Sequence, residues 1–358
     1  MSRRAWMIGV VFWAALLHGV ALLSLANFGP VRPGGVPLPG VSARALEQAP
    51  FARWDSHWYA RVAIHGYEGG GTGSFRDTAY FPLYPALLAG ISRATGLHPF
   101  VAGEAVSLLC LLGAAALLFS LAREEGFDPD ATLRALLFFP TAFFFLACYT
   151  ESLFLLTTVG SLLALRRRRY AASAAWGLLA GLTRPTGFLL VLPMLWEARE
   201  RKNRAGALLA ATGPLAGTGA FAIYLWVRFG SPMTYVRAQR TGWRYHLAWP
   251  WRPFIEGWRW NPTRRASVLA AILVGALGLW MLKRFTGYAL YVLGSLALII
   301  ERGNLSSAVR YAVVLFPIFF LLGEAMRRSP AIERLYTVAG LLGLAVYTTW
   351  FAVGIWVG

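Results

Sequence analysis

About eleven apolar segments recur along this chain, near residues 5–27, 99–121, 131–148, 151–165, 170–184, 186–197, 204–228, 266–282, 286–300, 307–324 and 333–356. A stretch of about 20 apolar residues crosses the hydrocarbon of a bilayer. There every backbone polar group must be satisfied within the protein, so only helices or a closed barrel can span. The pattern predicts an all-α polytopic membrane protein, a bundle of about 11 transmembrane helices. Composition agrees: hydrophobic residues make up 57% of the 358 and charged residues 14%, against roughly a quarter charged in soluble domains. No polar stretch approaches the ~100 residues of an independent domain, so residues 1–358 read as a single integral membrane domain.

Several segments are short. Segments 131–148 and 151–165 are joined by Cys148-Tyr149-Thr150-Glu151, and 170–184 and 186–197 by Arg184-Pro185-Thr186-Gly187. Short helices with polar turns at membrane depth are tolerated where protein packs around them or a wet cavity adjoins. The pattern therefore implies a cavity on one side of the bundle.

Basic clusters set the expected orientation. Arg3-Arg4, Arg166 to Arg169, the 199–204 stretch, Lys283-Arg284 and Arg327-Arg328 should face the cytoplasm. This holds if 80–96 does not cross the membrane and instead forms a juxtamembrane or re-entrant helix, which the prolines at 82 and 85 suit. A long first loop (28–98), Tyr149–Glu151, Arg184, the 229–264 loop and the turn from Glu301 to Arg310 then share the outer face. The second loop is basic, with Arg237, Arg240, Arg244, Arg252, Arg259 and Arg264 against Glu256. Long loops follow the charge rule weakly, and the excess points to an anionic ligand. The loop also interleaves tryptophan, as in Trp249-Pro250-Trp251-Arg252 and Trp258-Arg259-Trp260. An interfacial amphipathic helix accounts for that equally.

The net charge of +18 does not indicate nucleic acid, because the basic residues lie in short clusters between apolar runs. Cys110 and Cys148 both lie in apolar segments and show no metal or disulfide spacing. The apolar run after Ser2-Arg3-Arg4 is too long for a signal-peptide core and reads as a retained first helix.

The candidate chemistry starts in Trp54-Asp55-Ser56-His57-Trp58-Tyr59, at the expected water–lipid boundary. Asp55 suits a base that deprotonates a hydroxyl beside a lipid-borne donor, or a sugar-binding carboxylate. It also reads as a surface aspartate paired with Arg53 or Arg61, among aromatics of an interfacial belt. His57 and His65, eight residues apart, would be roughly 12 Å apart on a helix, too far for one metal ion; structural hydrogen bonding explains each. Glu151 either caps a helix through its dipole or is a functional membrane carboxylate. Arg184 and Arg310 must be paired or solvated. A lipid phosphate would serve, and so would snorkelling to headgroups.

Four motifs in order then resemble one family. Arg53-Trp54-Asp55 with His65-Gly66-Tyr67 and Phe81-Pro82-Leu83-Tyr84-Pro85 resembles the signature of the PIG-V family, the GPI mannosyltransferase II-like proteins with bacterial relatives. Tyr149-Thr150-Glu151-Ser152-Leu153-Phe154, Gly181-Leu182-Thr183-Arg184-Pro185-Thr186-Gly187, and Arg310-Tyr311 with Phe316-Pro317 resemble its further elements. The resemblance implies a bacterial member of the GT-C superfamily of polytopic glycosyltransferases, with an essential aspartate in the first outer loop, here Asp55, and a polyprenyl-phosphate sugar as donor.

The expectation is an inverting glycosyltransferase in the inner (plasma) membrane with its active site on the extracytoplasmic side. It would move a hexose, with mannose expected, from polyprenyl phosphate to a hydroxyl of a lipid-linked or cell-surface glycan. Asp55 would be catalytic. Trp54, His57, His65, Tyr67, Tyr149, Glu151, Arg184, Arg310 and Tyr311 would bind substrate. No cofactor and no metal are expected, since a monophosphate leaving group needs less neutralisation than a diphosphate. Partners would be the donor, the acceptor glycan and membrane lipids, with no nucleic acid. The competing readings are a GT-C enzyme for another sugar, arabinosyl or aminosugar, and a non-enzymatic lipid-phosphate flippase or transporter. The latter often carries internal repeats, and none is evident.

Overall fold

The computed structural model describes residues 2–29, 48–69, 75–200, 203–243, 245–259 and 262–357. Residues 30–47 and 70–74 of the first loop, residues 201 and 202 of the basic stretch, and Arg244 and Trp260 of the second loop lie outside them. The described residues form helices and no strand. In chain order the helices are α1 (Arg3–Phe28), α2 (Ser56–His65), α3 (Leu83–Thr95), α4 (Pro99–Glu124), α5 (Pro129–Leu137), α6 (Glu151–Arg166), α7 (Tyr170–Thr183) and α8 (Val191–Glu200). They continue with α9 (Arg204–Phe229), α10 (Thr234–Trp243), α11 (Arg252–Arg259), α12 (Pro262–Met281), α13 (Thr286–Glu301), α14 (Ala308–Ala312), α15 (Pro317–Arg328) and α16 (Pro330–Ala352).

Five of these are long and apolar enough to cross a membrane: Arg3–Phe28, Pro99–Glu124, Arg204–Phe229, Thr263–Met281 and Pro330–Ala352. At 1.5 Å per residue, the 26 residues of α4 extend about 39 Å, beyond the ~30 Å of hydrocarbon. Most other apolar segments form shorter pieces where about eleven spans were expected. The continuous segment expected over 131–148 is corrected: α5 ends at Leu137, and Ala142–Phe145 is a separate 3-10 turn. Pro140 lies between them; it lacks an amide proton and disfavours helical backbone at Phe139. The break foreseen at Arg184-Pro185 is present, with α7 ending at Thr183 and a 3-10 helix over Pro185–Leu190. The 13 residues of α3 reach only about 20 Å, too short to cross.

The chain divides into two compact units, each assembled from separated stretches. The first comprises Met1–Gly66, Tyr84–Leu156 and Phe319–Val357. In it α1 packs on α4 and α16, and α2 packs on α4. α1 buries Trp6, Val10, Trp13, Leu17 and Ala21 along one stripe, yet its other face carries Phe12 at 71% and Leu23 at 66% exposure. A helix apolar on both faces suits lipid on the outside. Arg134 pairs with Glu333, and Trp6 Nε1 donates to Asp130, tying α5 to α16 and to α1. Phe143, Phe144, Tyr149 and Phe351 form a fully buried aromatic core. Van der Waals contact holds such rings together, since lipid is as apolar as the rings themselves.

The second unit comprises Tyr67–Leu83 and Thr157–Ile318. Its closest packing joins α7 and α9. A Cβ on Gly181 would stand 2.5 Å from the Pro214 carbonyl oxygen, and Gly213 faces the Ala174 carbonyl. Small residues let two membrane helices approach to backbone contact. α8 packs on α9 and α13, α12 on α13 and α14, and α10 on the 3-10 turn Arg76–Ala79.

Candidate functional site

In the first unit Asp55 stands at the N-terminus of α2, with its carbonyl accepting from the Trp58 amide at 3.0 Å. Its carboxylate does not cap its own helix. It is half-buried, next to buried Arg53 and Ser56. Trp54 sits at φ +52, a left-handed backbone that a bulky side chain rarely takes. Such strain persists only where the surroundings over-determine it. Three contacts do so here. The Asp55 amide donates to the Tyr149 hydroxyl at 3.1 Å, that hydroxyl donates to the Arg53 carbonyl at 3.1 Å, and the Trp54 ring meets Trp356 edge-on at 5.4 Å.

Tyr149 and Glu151 are both fully buried. Between them Thr150 Oγ1 lies 3.3 Å from the Tyr59 hydroxyl on α2. The Tyr149 ring stacks on Phe144 and meets Phe351. The Tyr149–Glu151 motif and the Asp55 motif, far apart in sequence, are thus joined by direct hydrogen bonds. Glu151 opens α6, where the helix dipole favours a carboxylate. Arg53 donates through Nε to the Ala352 carbonyl at 2.9 Å and through Nη1 to the Ala52 carbonyl at 3.3 Å. Its guanidinium serves these main-chain acceptors.

The two histidines of α2 differ. His57 is half-buried, edge-on to Phe100 at 5.2 Å, and its Nδ1 is buried without a hydrogen-bond partner. Burial, with Arg53 adding to it, lowers its pKa to about 4, so it is a neutral imidazole near pH 7. His65, at the other end of α2, is exposed and apart from the Asp55 turn.

A second group in this unit was not singled out in the sequence. Glu104, buried inside α4, accepts from the Phe51 amide at 2.7 Å through Oε1 and meets His18 Nε2 at 3.2 Å through Oε2. His18 Nδ1 lies 2.9 Å from the Ala14 carbonyl, which can only accept, so Nδ1 carries a proton. The His18–Glu104 contact then holds one further proton between the two. The pair joins α1, α4 and the start of the Phe51–Asp55 turn. The sequence did carry the signal: a lone carboxylate and a lone histidine within two apolar segments.

The second unit holds Tyr67, Arg184, Arg310 and Tyr311. Tyr67 donates to the Tyr80 carbonyl at 2.6 Å, and its ring lies 5.5 Å from both Phe221 and Tyr224. Tyr67 thus belongs to an aromatic cluster with Phe81 and Phe221. Asp77, also unforeseen, accepts from the amides of Glu68, Gly69 and Thr78. The guanidinium carbons of buried Arg184 and Arg310 lie 5.2 Å and 5.8 Å from the Tyr311 ring centroid. The sequence motifs holding these two arginines are therefore brought to one ring, within cation–π range. Arg302, not singled out in the sequence, reaches the same ring at 5.7 Å. Among the described residues no three His, Cys, Asp or Glu side chains gather as metal ligands would.

Residues 39–197 match the family model described as mannosyltransferase (PIG-V). The match covers less than half of the chain and is a likeness to the PIG-V mannosyltransferases over that region. That region spans the Asp55, Tyr149–Phe154 and Gly181–Gly187 motifs, while Arg310-Tyr311 lies beyond it. The PIG-V match supports glycosyl transfer as the activity, and the five apolar helices support a membrane location. No curated protein matches the chain significantly.

Proposed function

We propose that the protein is an inverting, membrane-embedded mannosyltransferase of GT-C type, using a polyprenyl-phosphate-mannose donor and a hydroxyl of a lipid-linked or surface glycan as acceptor. The observation that carries this reading is the Asp55 turn: a half-buried carboxylate, uncommitted to capping its own helix, on a backbone fixed by the Tyr149 phenol. A general base needs that kind of fixed placement.

In this reading Asp55 takes the proton of the acceptor hydroxyl as its oxygen attacks the anomeric carbon. The bond from that carbon to the phosphate oxygen breaks, and polyprenyl phosphate leaves with the electron pair. The attack comes from the face opposite the leaving group, so the configuration inverts. The leaving phosphate gains negative charge, and Arg184 and Arg310 are proposed to stabilise it through planar two-point contacts. His57, neutral near pH 7, is proposed to hydrogen-bond sugar or acceptor hydroxyls, with Trp54 and Glu151. The site is proposed to face the extracytoplasmic side of the inner membrane.

The reading is tested by incubating membranes that contain the protein with a panel of radiolabelled polyprenyl-phosphate sugars. Transfer from the mannosyl donor alone is expected. Transfer from an arabinosyl or aminosugar donor instead would replace the sugar assignment, and release of no labelled glycan from any donor would remove the enzymatic reading.

A further inference from the structure

Arg302 ends α13, and the turn that follows depends on glycine. Gly303 takes φ +70, and a Cβ there would stand 2.8 Å from the His246 carbonyl oxygen. Arg302 is thereby turned among tyrosines. Its Nη1 lies 3.4 Å from the Tyr311 hydroxyl and its Nη2 3.4 Å from the Tyr235 hydroxyl. Its guanidinium carbon lies 5.5 Å from the Tyr245 ring centroid and 5.7 Å from that of Tyr311. These contacts are all to phenols and rings, and none is to a carboxylate. Arg302 and Tyr235 are half-buried as residues.

Three guanidiniums thus meet around one ring. Like charges so placed repel, and in a partly desolvated setting the repulsion is not screened away. Ring faces offset part of this, and an anion at Arg302, whose own contacts are phenols and rings, offsets more. Phenol hydroxyls beside a guanidinium can donate to the same anion, which a carboxylate in their place could not do.

We infer that Arg302, with Tyr235 and Tyr311, forms an anion site in the second unit for a phosphate monoester or diester, adding a third cation to Arg184 and Arg310. The proposal deepens the donor-phosphate reading above and rests on it for the identity of the anion. The shared chemistry is a phosphate group, which a polyprenyl phosphate, a phospholipid headgroup or free phosphate would each present.

The test is binding of farnesyl phosphate, a short polyprenyl monophosphate, to purified full-length protein in phosphatidylcholine nanodiscs, followed by tryptophan fluorescence. Arg302→Gln should weaken binding roughly 10- to 100-fold, the range for lost charge-assisted hydrogen bonds. Arg302→Lys should recover part of it, and Tyr235→Phe should show a smaller loss with the fold intact. Farnesol, which lacks the phosphate, should bind all variants alike. Asp55→Asn should bind farnesyl phosphate as the wild type does, so a failure of the base assignment and a failure of this site are read separately. Inorganic phosphate should compete weakly. Competition by phosphatidylglycerol nanodiscs as strong as that by the polyprenyl phosphate would overturn the donor assignment in favour of a headgroup site. Unchanged farnesyl phosphate binding in Arg302→Gln and Tyr235→Phe would overturn the site itself.

Discussion

The Tyr149 phenol accepts a hydrogen bond from the Asp55 amide and donates one to the Arg53 carbonyl, each at 3.1 Å. One hydroxyl therefore locks the two residues that flank Trp54 in its left-handed backbone. Tyr149→Phe keeps the ring in its aromatic core and deletes both bonds. An unsatisfied buried amide and carbonyl cost about 1–3 kcal/mol, so the thermal midpoint should drop. Turnover should fall while donor KM stays near the wild-type value, since the loss is in placement of the base. A lower midpoint with unchanged turnover would leave the phenol a purely structural role.

The His18–Glu104 pair makes a sharper structural prediction. Glu104→Gln keeps a carbonyl oxygen for the Phe51 amide and gives His18 Nε2 a donor. It should fold with near wild-type stability. Glu104→Ala leaves the Phe51 amide and His18 facing a cavity inside α1 and α4. A loss of about 2–4 kcal/mol is expected, since removing one partner strands the other. Equal stability of the two variants, read by thermal unfolding in one detergent, would contradict this.

Much of this was legible from the chain and some was not, for physical reasons. The break at Arg184-Pro185 could be read because proline ends a helix locally. Pro140 acts in the same way, yet its apolar neighbours in 131–148 hid it within an apparent span. The Asp55 motif stood out because its aromatics and acid are contiguous. Glu104 and His18 did not, because each is isolated in its own apolar segment and they meet across 86 positions. Arg302 lay in a turn already assigned to topology, and its tyrosines come from positions 235, 245 and 311. Only folding gathers such a cluster.

The lowered pKa of His57 gives a pH dependence with a definite sign. Unfolded, the imidazole titrates near 6.5, and folded near 4. Above pH 6.5 both states are neutral and nothing is lost. As pH falls from 6.5 to 4, the unfolded chain takes up a proton that the folded chain refuses, so stability declines; below 4 the loss stops growing. His57→Gln should flatten the thermal midpoint across that window relative to the wild type. An identical decline in both proteins would show that His57 does not carry it.

The central claim is that Asp55 removes the acceptor proton, and turnover of Asp55→Asn tests it most directly. Asparagine keeps the size of the side chain and cannot take the proton. The account predicts a loss of about 10²–10⁴-fold in mannosyl transfer, with farnesyl phosphate binding and the thermal midpoint close to those of the wild type. An Asn variant that retains more than about a tenth of wild-type turnover would contradict it.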